Sequence, residues 1–89
     1  MVNVTLYGIG CNRFKALRER LENIFRRHKG AMSLQEVTSI EGILEHQIPR
    51  IPALEIGPDL HVLEGQVWDE QLIEKWINDQ ILSDIDDSH

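Results

Sequence analysis

The chain has one cysteine, Cys11, in 89 residues. A single thiol excludes a disulfide within the chain and a zinc site made of cysteines alone. Such usage fits a reducing compartment. Nowhere does the sequence reach the roughly 18 consecutive apolar residues of a membrane-spanning helix. Its first residues also lack the basic stretch and apolar run of a secretory signal. We therefore expect a cytoplasmic protein with no membrane partner. Cations are scarce outside one segment. Seven of the nine Lys and Arg residues (Arg13, Lys15, Arg18, Arg20, Arg26, Arg27 and Lys29) lie together, beside only Glu19 and Glu22. That segment carries +5 against a total of −6, which leaves −11 on the remainder. A net negative chain is poorly matched to a phosphate backbone, so nucleic acid is not expected as a partner. The basic segment reads first as a solvated helix face opposite an acidic body. Its sharper reading is a field that steers an acidic partner or supports a thiolate at Cys11.

What is present is an ordinary globular composition, 42% apolar and 27% charged, enough for one domain spanning residues 1–89. Val2 to Tyr7 alternates in β-branched and aromatic types and reads as a strand. Gly8 and Gly10 break it. From Asn12 to about Lys29, apolar residues at Phe14, Leu17, Leu21, Ile24 and Phe25 mark one face of an amphipathic helix. Gly30 is its natural stop. Ser33 to Thr38 reads as a second strand, parallel to the first through the helical crossover. Ser39 caps a short helix to Gln47, with Ile40, Ile43 and Leu44 as its buried stripe. Pro49 and Pro52 end helical geometry. Ala53–Ile56 and Leu60–Leu63, joined by Gly57-Pro58-Asp59, form a hairpin. Asp69 caps a last helix to about Ser83, with Leu72, Ile73, Trp76, Ile77 and Gln80/Ile81 facing inward. Residues 83–89 read as a frayed acidic tail. The order is β-α-β-α-β-β-α, an α/β three-layer domain with a four-stranded mixed sheet flanked by three helices.

Gly10-Cys11-Asn12-Arg13-Phe14 sits where the first strand gives way to the first helix, and this is the candidate site. A cysteine there faces unsatisfied N–H groups and the positive end of the helix dipole, which favour a thiolate, and Arg13 and Lys15 push the same way. Phe14 stands where a second cysteine would complete Cys-x-x-Cys. A thiol–disulfide cycle using two cysteines of one chain is therefore impossible. Phe14 also falls on the helix's apolar stripe, which assigns it to the core beneath the site. His28, His46, His61 and His89 are scattered without a spaced partner and read as surface residues, so no metal site is expected. Trp76 belongs to the buried face of the last helix and Trp68 covers its entry.

The β-α-β-α-β-β-α order, the first strand ending in Gly-x-Gly-Cys, the helix directly after Cys11 and the Ile-Pro before the hairpin resemble the thioredoxin fold. They are most similar to the small thioredoxin-like proteins of bacteria and archaea that carry Gly-Cys-x-x-Cys near the N-terminus. The resemblance covers residues 2 to about 82. It implies that Cys11 occupies the place of the attacking cysteine, supported by Gly10, Arg13 and Phe14. It also implies that Ile51-Pro52 is a cis peptide bond against the site, with the backbone of Ile51 pairing with a bound peptide. The expected function is a single-cysteine thioredoxin-like protein that exchanges a thiol with a protein or low-molecular-weight thiol partner, or binds peptide, at the Cys11/Pro52 groove. No cofactor is expected in that reading. The alternatives are a non-catalytic interaction module and a dimer that holds a cofactor, such as an iron–sulfur cluster, through one Cys11 from each chain.

Overall fold

A computed structural model describes the backbone of residues 2–87 and the side chains of residues 2–82. The elements are β1 (Val2–Tyr7), α1 (Asn12–Arg27), β2 (Met32–Val37), α2 (Ile40–Glu45), β3 (Ala53–Ile56), β4 (Asp59–Val62) and α3 (Glu70–Asp87). Their order is the one expected. The sheet runs β2-β1-β3-β4, with β1 parallel to β2 and antiparallel to β3, and β3 antiparallel to β4.

Strand alternation divides the core into two layers. On one face Val2, Val4 and Leu6 of β1 and Leu54 and Ile56 of β3 meet Phe14, Leu17, Leu21 and Ile24 of α1 and Ile73 and Ile77 of α3. These residues are buried because each helix repeats its apolar side chains at three- and four-residue steps. On the other face Tyr7 and Ala53 meet Ile43 and Ile48, with Val37 and Val62 at the margin. The first layer is much the larger. Two helices build it, whereas α2 alone covers the second.

Several details differ from expectation. The first helix ends at Arg27 with His28 as its C-cap, and Gly30 (φ +88°) turns the chain two residues later. β2 begins one residue early, at Met32. The hairpin turn is Gly57-Pro58 alone, because Asp59 already pairs with Ile56 and Gly57 takes the positive φ (+58°) that a tight turn requires. Ser39 caps α2 as expected, its Oγ accepting the Gly42 N–H at 3.0 Å. The apolar stripe of α2, however, is not buried as a unit. Ile43 is 7% exposed, whereas Ile40 is 64% and Leu44 68% exposed. A six-residue helix has one and a half turns and seats only one side chain on the sheet. In α3, Leu72 is also exposed, beside the buried Ile73 and Ile77. The backbone of α3 stays helical to Asp87, past the expected end near Ser83. Of the expected acidic tail, the last two residues and the side chains from 83 onward lie outside the described residues, as does His89. No helix among the described residues is long and apolar enough to cross a membrane.

Candidate functional site

β1 delivers the chain to the turn at Gly8, which is buried against the Phe14 ring so closely that a Cβ there would overlap it. Glycine at this position lets backbone and ring share one space. Ile9 and Gly10 then rise to the surface, and Cys11 is the N-cap of α1. Its carbonyl accepts the Lys15 N–H at 3.0 Å, while its side chain makes no capping hydrogen bond. The thiol is exposed. The first turn of α1 contains no acidic residue, so no carboxylate offsets the positive end of the helix beside the sulfur.

Phe14, one helical turn on, points the other way. It is 2% exposed, in the main core with Leu17 and Leu21, and Arg18 lies over its ring with the guanidinium carbon 5.7 Å from the centroid. Cys11 and Phe14 thus divide the turn into a solvent-facing thiol and a core-facing ring. Arg13 extends across to the β4–α3 loop, where its Nη1 donates to the Gly65 carbonyl at 3.2 Å. Arg20 donates to the Trp68 carbonyl in the same loop. Two cations of α1 therefore hold that loop in place.

The Ile51–Pro52 peptide bond is cis. Pro52 is buried, and its carbonyl accepts the Leu63 N–H at 3.0 Å. Ile51 remains 38% exposed. It lines an open groove of about 160 Å³ together with Ile9, Ile40, Ile43, Leu44, Ile48, Pro49 and Arg50. The groove is therefore lined both by the residue two before Cys11 and by the residue just before Pro52. Its one charged residue, Arg50, lies 3.6 Å from Glu64. Of the residues expected at the site, Ile51 lines this groove and Cys11 and Pro52 do not, while Ile9, Ile40 and Leu44 were not expected in it. The usable signal was the brevity of α2, which leaves most of an apolar stripe without a sheet to cover it.

Other polar groups are engaged away from this turn. Tyr7 donates its hydroxyl to Glu55 Oε1 at 3.1 Å, and burial, then the Glu55 charge, push its ionisation upward. His46 packs on the Tyr7 ring, and His61 stacks on Trp76 at 3.9 Å between centroids. Trp68 meets Trp76 edge-on. Both indoles are half-buried, packed against the main core. Arg27 donates to Glu70 and Glu74, and His28 lies 3.1 Å from Glu74, tying α1 to α3. The hydrogen bond from Arg27 holds the Glu74 carboxyl below its ordinary range. No group of three or more His, Cys, Asp or Glu residues suited to a metal occurs among the described residues.

A family model described as a thioredoxin domain matches residues 2–78. The chain belongs to the thioredoxin-domain family. Among solved structures, oxidised mitochondrial thioredoxin 3 from Saccharomyces cerevisiae is similar with a TM-score of 0.65 at 18% identity, covering 88% of this chain and 77% of that one. A structure titled as that of a malarial protein has a TM-score of 0.69 at 8% identity, covering 89% and 96%. Identities this low establish a common fold. No curated protein sequence matches. The thioredoxin-like fold, a mixed four-stranded sheet with three helices, supports a redox or binding role for the domain.

Proposed function

We propose that this thioredoxin-like protein is a single-thiol exchange and binding protein. In this reading Cys11 is its reactive atom, and the groove from Ile9 to Ile51 holds an apolar segment of the partner. The observation that carries the reading is the pairing of an exposed, uncapped thiol at the start of α1 with exposed aliphatic side chains two residues before it and across α2. Exposed apolar clusters of this kind mark interaction sites. In the exchange step the Cys11 thiolate attacks one sulfur of a disulfide. A new S–S bond forms to Cys11, the old one breaks, and the departing sulfur leaves as a thiolate. With Phe14 in place of a resolving cysteine, release requires a second thiol from outside the chain. That thiol attacks the mixed disulfide and frees Cys11.

Oxidised glutathione tests the chemistry. Native protein should gain one glutathione at Cys11, faster than the urea-unfolded chain, and dithiothreitol should reverse it. Reaction no faster than in the unfolded chain would reduce the role to binding alone. Core placement of Phe14 favours that second reading to one extent: the position that would complete dithiol chemistry is committed to packing. Partner binding that survives Cys11→Ser and is lost in Ile40→Glu/Leu44→Glu would establish the interaction module.

A further inference from the structure

The sheet has two edges, β2 and β4, and they are guarded unequally. β4 is four residues long and follows Pro58, and its Asp59 accepts the Gln80 side-chain amide at 3.0 Å. Brevity, proline and charge are the usual protections of an edge. β2 runs six residues in unbroken register with β1 and contains no proline or lysine. The Val2 N–H donates to the Ala31 carbonyl and the Gly8 N–H to the Val37 carbonyl, so the odd-numbered residues along β2 face β1. In a parallel ladder the residues between them turn both backbone groups the other way. Leu34 and Glu36 therefore direct N–H and C=O outward from the sheet, while the buried Met32 is bridged by the backbone of Lys29.

The flank above this edge is cationic. Lys15, Arg18, Glu22, Arg26 and Lys29 recur at three- and four-residue steps along α1 and its exit, on one side of the helix. Arg18 lies 3.9 Å from Glu36 near one end of β2, and at the other the backbone of Lys29 bridges to Met32 and covers that end of the edge. Lys15, Arg26 and Lys29 form no ion pair among the described residues. We propose that the outer edge of β2 accepts an extended acidic segment of a partner protein as a fifth strand. Its backbone would pair with Leu34 and Glu36, and its helix-side carboxylates would meet the cationic flank. A second copy of this chain fits worse, because side-by-side pairing would set two such flanks cation against cation. The surface uses no groove residue and does not depend on Cys11.

The test is a titration of isotope-labelled protein with a capped hexapeptide alternating glutamate and valine, read by amide shifts and hydrogen exchange. The amides of Leu34 and Glu36 should shift and exchange more slowly, and binding should weaken as salt is raised. A lysine–valine peptide should not bind. Glu36→Pro removes one outward N–H and leaves the β1 ladder intact, and should weaken binding about fivefold, the net worth of one hydrogen bond. Arg26→Glu/Lys29→Glu, which alters no backbone, should weaken it further. Equal binding of both peptides, no binding, or shifts confined to Ile9, Ile40 and Leu44 would each overturn the proposal. Concentration-dependent sedimentation of the free protein through this edge would also overturn it, in favour of self-association. Cys11→Ser should leave every result unchanged, which separates this surface from the thiol reading.

Discussion

Replacing Phe14 with cysteine puts the division of the turn to a quantitative test. The side chain is 2% exposed and lies in the main core between the sheet and α1. Removing a buried phenylalanine costs about 3–5 kcal/mol when alanine replaces it, and the retained sulfur lowers that to about 2–4 kcal/mol. An 89-residue domain holds roughly 4–13 kcal/mol in all. The reduced variant should therefore be folded but weakened, with its urea midpoint down by about 1–4 M for an m-value near 1–1.5 kcal/mol/M. Oxidation should return part of the loss. Closing the four-residue loop from Cys11 to position 14 restricts the unfolded chain by about 2 kcal/mol. Urea unfolding of both redox forms, with thiol counting by a chromogenic disulfide reagent, reads all three quantities. The reduced form should show two thiols and the oxidised form none. A reduced variant within ~0.5 kcal/mol of the parent would refute the packing of Phe14. Failure to form the intramolecular bond would refute the placement of positions 11 and 14 on one helical turn.

Other perturbations separate the site from its scaffold. Ile40→Glu/Leu44→Glu alters two exposed side chains and should change stability by less than about 1 kcal/mol, measured by thermal unfolding, while abolishing partner capture. Gly8→Ala places a methyl in the Phe14 ring and should destabilise by about 1–3 kcal/mol, with partial recovery when Phe14→Leu is added. Arg27→Ala tests the α1–α3 clamp. Because Arg27 lowers the folded-state pKa of Glu74, the pair's stabilisation is complete above the ordinary carboxylate value of 4.5 and is lost as pH falls through the lower folded value. The gap in melting temperature between parent and Arg27→Ala should thus be widest near neutral pH and close in acid. A gap independent of pH would assign the contact to packing.

Legibility followed the strength of the local pattern. α1 could be read because Phe14, Leu17, Leu21 and Ile24 repeat over about three turns, and every one of them is buried. The parallel pair and the hairpin followed from two facts of the chain, a helix-length crossover after β1 and the short Gly57-Pro58-Asp59 connection after β3. α2 misled for the opposite reason. Over six residues, Ile40, Ile43 and Leu44 satisfy a helical stripe whether or not anything covers it, and periodicity says nothing about the size of the surface opposite. The groove was thus hidden inside a reading of core. The reach of Arg13 to Gly65 and of Arg20 to Trp68 was equally out of view, since each spans about fifty residues of sequence and depends on where the β4–α3 loop comes to rest.

The position three residues after Cys11 explains how such a protein can carry this groove without dithiol chemistry. The residue on that turn faces the sheet, so a phenylalanine there adds to the core with Leu17 and Leu21 and displaces nothing from the groove. The groove is built by other segments, α2, the 48–51 connection and Ile9. In the proposed function, chemistry and recognition therefore rest on separate side chains. The consequence is a double dissociation. Cys11→Ser should eliminate glutathione capture with apolar binding intact, and Ile40→Glu/Leu44→Glu should do the reverse. If both functions fell together in either variant, with the fold intact by far-ultraviolet circular dichroism, thiol and groove would have to act as one unit.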